Sequence, residues 1–231
     1  MPNYIAIDAS TEACSVALKL ENTVISEFEI CPQSHSLVLL PMVDRLLKQA
    51  DCQLSDLDGL IFGRGPGSFT GVRIGVGVAQ GLAFAADLPV VGISTLQTMA
   101  QQAYQKYQQE EVIAAIDARM SEIYSGFYRL NDQGIMTAVV DETVLPPAEL
   151  GGYLAAYTKQ AYGVGSGWDA YHEVLQVLKS NQGTPEILFP DAQAMLTIAE
   201  PEFNAGRTVT AEQAQPVYVR DTVSWKKLPG R

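Results

Sequence analysis

The segment Gly65-Pro-Gly-Ser-Phe-Thr-Gly71 constrains this chain more than any other. It sits between a short apolar run, Leu60-Ile-Phe-Gly63, that reads as a buried strand, and a stretch from about Gly71 to Ala86 that reads as a helix. A strand feeding a helix through a glycine loop is an α/β arrangement, and glycines there let backbone N–H groups converge on an anion at the helix N-terminus. The spacing is not that of a Walker loop, because no Gly-Lys-Ser/Thr follows. Nor is it the dinucleotide fingerprint, since the pattern is GxGxxxG rather than GxGxxG. A second reading is a tight turn that seats a glycine-faced helix against a sheet. Gly71, Gly75, Gly77, Ala79 and Gly81 make that helix smooth enough to approach another backbone, inside the chain or across a subunit contact.

The flanking sequence extends the same pattern. Tyr4 to Ala9, Ser15 to Leu20 and Val24 to Ile30 read as a β-meander with polar turns. From Ser34 to Ala50 the spacing is helical, with Ser34 or Ser36 as N-cap and Pro41 as a kink. This helix carries apolar residues on two faces, Leu37, Leu40 and Leu47 on one and Leu39, Met42 and Leu46 on the other. A helix apolar on two faces is buried on both sides or meets a partner. Val90 to Ile93 predicts a further strand and Leu96 to Tyr107 a helix. After the polar stretch near Gln108 the alternation restarts, with strands at 112–117, 123–129 and 135–144, then shorter helices around the turn Gly163-Val-Gly-Ser-Gly167. Two α/β lobes, residues 1–108 and a smaller 109–231, fit this order, with the extreme C-terminus returning to the first.

Composition narrows the function classes. The net charge of −11 opposes RNA binding by the chain alone, because phosphate recognition needs basic surface, and the basic tail with Lys226, Lys227 and Arg231 is short. Cys14, Cys31 and Cys52 are odd in number and without a CxxC pair, which argues against a disulfide framework or a zinc site and for reduced packing residues. No export signal is visible, and the apolar stretch Ile74–Ala86 is diluted with glycine and short for a bilayer, so a cytoplasmic protein with no membrane association is expected.

Candidate site residues are few. Asp8, Ser10 and Thr11 end the first strand, where a carboxylate can face a metal-bound phosphate, or where an Asx-type turn simply forms. With Gly65, Gly67 and Ser68 they are the candidate phosphate or nucleotide positions. His35 has Leu39 one helical turn later and His172 far away, so no histidine pair shares a helix face and no metal is expected. Asp117 and Arg119, with Glu122 and Tyr124, form either a ligand-facing strand end or a salt-bridged turn.

Taken together, Ile5-Ala-Ile-Asp-Ala-Ser-Thr11, the segment from Gly63 to Gly75, Ala115-Ile-Asp-Ala-Arg119 and Pro216-Val-Tyr-Val-Arg220 resemble the TsaB (YeaZ) family across essentially the whole chain. The resemblance implies a two-lobed actin/Hsp70/sugar-kinase-like (ASKHA) fold with a reduced second lobe. It also implies a non-catalytic subunit in the formation of threonylcarbamoyladenosine (t6A) on the adenosine 3′ of the anticodon. The implied partners are TsaD, the catalytic subunit, in a heterodimer; TsaE, an ATPase; and a TsaC-type adenylate synthase. A homodimer is expected for the chain alone, and tRNA contact only through the complex. TsaD-type relatives hold a metal with a histidine pair on the first helix; here Leu39 stands where the second ligand would be. The first two helices are expected to form the contact, with Leu37, Leu40, Leu47, Val72, Val76 and Leu82 as candidate interface residues. No catalytic residue and no cofactor is expected in the isolated chain, a nucleotide only in the assembled complex. The rival reading is a stand-alone kinase, ATPase or metallopeptidase of the same superfamily.

Overall fold

A computed structural model describes residues 2–183 and 185–220. The basic residues Lys226, Lys227 and Arg231 lie outside them. The chain forms two mixed sheets. The first is ordered β3-β2-β1-β4-β5, from β1 (Tyr4–Asp8), β2 (Ala13–Leu20), β3 (Thr23–Ile30), β4 (Gly59–Gly65) and β5 (Val90–Ser94). The meander β1–β3 pairs antiparallel, whereas β4 joins β1 and β5 joins β4 in parallel. Parallel pairs need a crossover, and the helices supply it: α1 (His35–Gln49) leads from β3 toward β4, and α2 (Phe69–Ala86) leads from β4 to β5.

Strand alternation assigns the two faces of this sheet. Ile5, Ile7, Val16, Leu18, Leu60 and Phe62 point into a core shared with Leu39, Met42, Val43 and Leu46 of α1 and Val72, Val76, Ala79 and Ala83 of α2. Tyr4, Ala6, Ala17 and Ile61 point the other way, onto α7 (Ala192–Asn204). Both faces are covered, so β1 is buried at every residue.

The second sheet is ordered β10-β6-β7-β8, with β9 also on β7; it comprises β6 (Glu111–Asp117), β7 (Ile123–Leu130), β8 (Met136–Ala138), β9 (Thr143–Leu145) and β10 (Tyr162–Val164). One face packs on α3 (Thr95–Tyr107), whose N-terminus Ser94 caps through its hydroxyl. The other face is closed by Leu150 and Leu154 of α4 (Leu150–Leu154), Trp168 of α5 (Gly167–Ala170) and Leu175 of α6 (His172–Leu175). The single strand expected over 135–144 is two short ones, because the chain leaves β7 after Ala138 and returns at Thr143. Helix α7, 13 residues long, runs back to the first sheet and also touches α3, so residues well before the extreme C-terminus belong with the first sheet.

Candidate functional site

Around the glycine loop, three glycines are required by close approach. A Cβ at Gly63 would meet Asp8 Oδ2 at 1.8 Å, at Gly67 the Ser10 carbonyl oxygen at 2.1 Å, and at Gly71 the Ala9 carbonyl oxygen at 2.2 Å. The β1–β2 turn therefore fills the hollow that the glycines create. The contact is hydrogen-bonded: the Ser68 amide donates to the Ser10 carbonyl at 2.7 Å, and the Ser68 hydroxyl caps α2 by accepting from the Gly71 amide.

The turn is closed on itself in the same way. Asp8 accepts from the Ser10 amide at 2.9 Å and from the Ser10 hydroxyl at 2.8 Å, and that hydroxyl accepts from Thr95 of α3 at 2.9 Å. Asp8, Ser10 and Thr11 are all at most 3% exposed. Burial pushes the Asp8 carboxyl up to about 6, although both Ser10 hydrogen bonds pull the other way. The structure thus brings Asp8, Ser10, Thr11, Gly65, Gly67 and Ser68 together, with the Ser10 amide and hydroxyl and the Ser68 amide engaged within the protein. The close packing of the loop on the β1–β2 turn is the geometry of the tight-turn alternative. A hollow of about 550 Å³ lies at the other end of β1, lined by Leu18, Leu20, Thr23 and Cys52 among others, and shares no residue with this loop.

Over the loop run residues 216–220. The Val217 amide donates to the Arg64 carbonyl at 2.8 Å, and the Val217 carbonyl oxygen lies 3.1 Å from where a Cβ on Gly65 would stand. Gly65 also has φ +95°, a backbone region that only glycine enters freely. Arg73 lies 3.6 Å over the Phe69 ring and donates to the Tyr218 hydroxyl at 2.7 Å. Arg220 then reaches the second sheet, donating to the Ala118 carbonyl and the Glu122 carboxylate. Arg119 makes the reverse connection, pairing with Asp117 and with Glu12 of the β1–β2 turn. Of the two readings for 117–124, the salt-bridged turn is the one formed, and its ion pairs join the two sheets.

Helices α1 and α2 pack side by side and divide their residues by face. On α1, Leu39, Met42 and Leu46 are at most 1% exposed, while Leu37 is 75% and Leu40 47% exposed; Leu47 is half-buried. Ser34 is the N-cap residue, without a side-chain hydrogen bond to the helix. On α2, Val72 and Val76 are core residues, 3% and 4% exposed, so neither belongs on an outward surface. The error lies in the helix phase: Gly71 and Gly75 sit against Ala9, which turns the neighbouring valines inward as well. The outward stripe of α2 is Arg73, Gly77, Gly81 and Phe84, with Leu82 half-buried beside it. At Gly77 and Gly81 a Cβ would meet nothing within 4 Å. By length and composition α2 is also the one helix among the described residues apolar enough to cross a membrane, because the apolar run extends back to Phe69; a third of it is buried in the protein.

Sequence reasoning missed one grouping. Cys14, Cys31 and His35 are buried, and their ligand atoms all lie within 4.8 Å of one another. The residues are distant in the chain but near in register: Cys14 stands opposite Glu29 on β3, and Cys31 and His35 follow just beyond that strand, four residues apart. The Cys31-x3-His35 spacing was the available signal.

Comparison with known proteins places this geometry. Residues 20–205 match the family model described as TsaD, tRNA N6-adenosine threonylcarbamoyltransferase. The tRNA threonylcarbamoyladenosine biosynthesis protein TsaB of Escherichia coli (strain K12) is 46% identical over 98% of this chain and 98% of its own length. The TsaB of Haemophilus influenzae is 42% identical over 98% and 97%. Among solved structures, YeaZ from Pseudomonas aeruginosa superposes with a TM-score of 0.83 at 44% identity, covering 94% of this chain and all of that one. A protein described as similar to peptidase YEAZ, from the same organism, gives 0.87 at 45% identity over 95% and 100%.

Proposed function

The chain belongs to the TsaB family and has a role in forming threonylcarbamoyladenosine in tRNA; from that premise we propose that it is the non-catalytic partner of a TsaD-type threonylcarbamoyltransferase. The observation that carries this reading is the outward face of the α1–α2 pair. Leu37 and Leu40 are exposed on α1, and the packed neighbour α2 carries the open glycines Gly77 and Gly81. Exposed leucines and a smooth helix face suit close helix packing against another subunit. Leu37, Leu40, Leu47, Leu82, Gly77 and Gly81 form this contact, in the heterodimer with TsaD and, competitively, in a homodimer.

A catalytic role is disfavoured by the same structure. Asp8 is enclosed by its own turn, and Leu39, at the position of a second histidine ligand, is wholly in the core. The two sheets form the lobes of an ASKHA fold, each of five strands, the second smaller because three of its strands have only three residues. The complex includes the ATPase TsaE, draws its adenylate from a TsaC-type synthase, and works in the cytoplasm. The isolated chain needs no cofactor, and a nucleotide would enter only in the assembled complex, where the β1–β2 turn would have to open. Reconstitution tests the assignment: t6A formed from purified TsaC-type, TsaD and TsaE proteins with tRNA is read by nucleoside mass spectrometry, with this chain present or omitted. Product that requires the chain, and survives Asp8→Asn, supports a partner. Product formed equally without it would overturn the reading, and loss of product in a folded Asp8→Asn variant would assign chemistry to the chain.

A further inference from the structure

We propose that Cys14, Cys31 and His35 form a buried binding site for a thiophilic cation, Zn²⁺ or Cu⁺, that locks the start of α1 to the β1–β2 turn. Three observations carry this. The three ligand atoms lie within 4.8 Å of one another, near enough for one ion to bridge all three after small side-chain adjustment. Each residue sits on backbone fixed by its own hydrogen bonds: Cys14 within the β2–β3 ladder, Cys31 through its amide to the Glu12 carbonyl at 2.9 Å, and His35 at the first turn of α1. The third is the tautomer of the imidazole. His35 Nε2 lies 2.6 Å from the Thr11 carbonyl oxygen. A carbonyl only accepts, so Nε2 carries the hydrogen, and in the neutral ring Nδ1 then has the lone pair that a ligand needs. A backbone carbonyl on the second ring nitrogen is the usual outer support of a metal-bound histidine.

Two thiolates and one imidazole, enclosed in protein, suit soft d10 ions and disfavour Mg²⁺ or Ca²⁺, which require oxygen ligands. Binding releases the two thiol protons, so Zn²⁺ with two thiolates leaves a neutral site, which a buried position favours, while Cu⁺ suits three-coordination. The ion would be structural. It would tie β2, the residues after β3 and α1 to the turn that holds Asp8, independently of whether α1 docks on a partner.

The test uses the full chain, reduced and stripped of metal, titrated with Zn²⁺ and separately with Cu⁺ in competition with a chromophoric chelator. One equivalent of either ion is expected to bind, with Cys14→Ser, Cys31→Ser and His35→Gln each weakening it by more than about tenfold, a loss that even outer-shell changes reach. Cys52→Ser, outside the cluster, leaves affinity unchanged. Because serine substitutions in a core can impair folding, X-ray absorption on the loaded wild-type chain supplies a variant-free reading: two sulfurs and one imidazole nitrogen around the ion. Failure of the reduced chain to bind either ion, an ion without sulfur neighbours, or undiminished binding in folded Cys14→Ser and Cys31→Ser variants would overturn the site.

Discussion

Replacing glycines on α2 separates what the helix does for folding from what it does at a surface. Gly77 and Gly81 lie in the helix interior with open space where a Cβ would be. An alanine at each position restricts the unfolded chain and gains about 0.5–1 kcal/mol of stability. The Gly77→Ala, Gly81→Ala double variant is therefore expected to gain about 1–2 kcal/mol, which for a domain of this size raises Tm by about 2–8 °C. Gly71→Ala is expected to do the reverse. Its methyl would stand 2.2 Å from the Ala9 carbonyl oxygen, and the backbone shift that relieves the clash costs about 1–3 kcal/mol. Binding to TsaD should move against stability in the double variant: two methyls in a close helix contact cost a similar overpacking energy, about tenfold or more in Kd. Thermal unfolding followed by circular dichroism and titration calorimetry with TsaD read the two effects. A double variant that is less stable than wild type would refute the open outward stripe. One that is more stable and binds TsaD unchanged would refute the close approach.

Three further outcomes follow from burial and charge. Leu39→Ala should lose about 2–5 kcal/mol in urea unfolding, whereas Leu37→Ala, on the same helix but 75% exposed, should stay within about 0.5 kcal/mol. Asp8 gives a pH dependence: its carboxyl is held at about 6 in the folded chain against an ordinary 3.8, so the folded state keeps a proton that the unfolded chain has released. Stability should therefore fall as pH rises from about 4 to about 6, by up to about 3 kcal/mol, and Asp8→Asn should flatten that slope in urea midpoints taken across the range. With a net charge of −11, the isolated chain should retain no tRNA in filter binding at physiological salt, and specific micromolar binding by it alone would contradict this.

The α/β order was readable in the sequence because strand and helix periods differ and glycine marks the junctions. The meander, the strand at Leu60 and both first helices stand where the pattern puts them. The residues facing outward were harder. On α1 the two apolar faces separated correctly into Leu39 and Leu46 inside and Leu37 and Leu40 outside, since charged Asp44 and Arg45 mark the solvent side. On α2 the one charged residue, Arg73, marks the side shared with Gly77 and Gly81, but the rest of the helix is apolar or glycine nearly all round, and Val72 and Val76, picked as apolar surface, fell on the covered side. The glycine loop shows a related limit. Glycines that admit a phosphate and glycines that admit a neighbouring carbonyl leave the same trace in sequence, and only the position of the Ser10 carbonyl distinguishes them. The Cys31-x3-His35 spacing is local, but adding Cys14 to it depends on hairpin register, which no local pattern in the sequence states.

The docking claim is tested most directly by size-exclusion chromatography with light scattering on the chain mixed with folded, metal-loaded TsaD. The wild-type chain is expected to elute with TsaD as a heterodimer. A Leu37→Glu, Leu40→Glu variant, changed only at positions exposed in the single chain and therefore keeping the wild-type circular dichroism spectrum, is expected to elute apart from it. Wild-type chain that never associates with TsaD, or a double-glutamate variant that associates as tightly, would contradict the account.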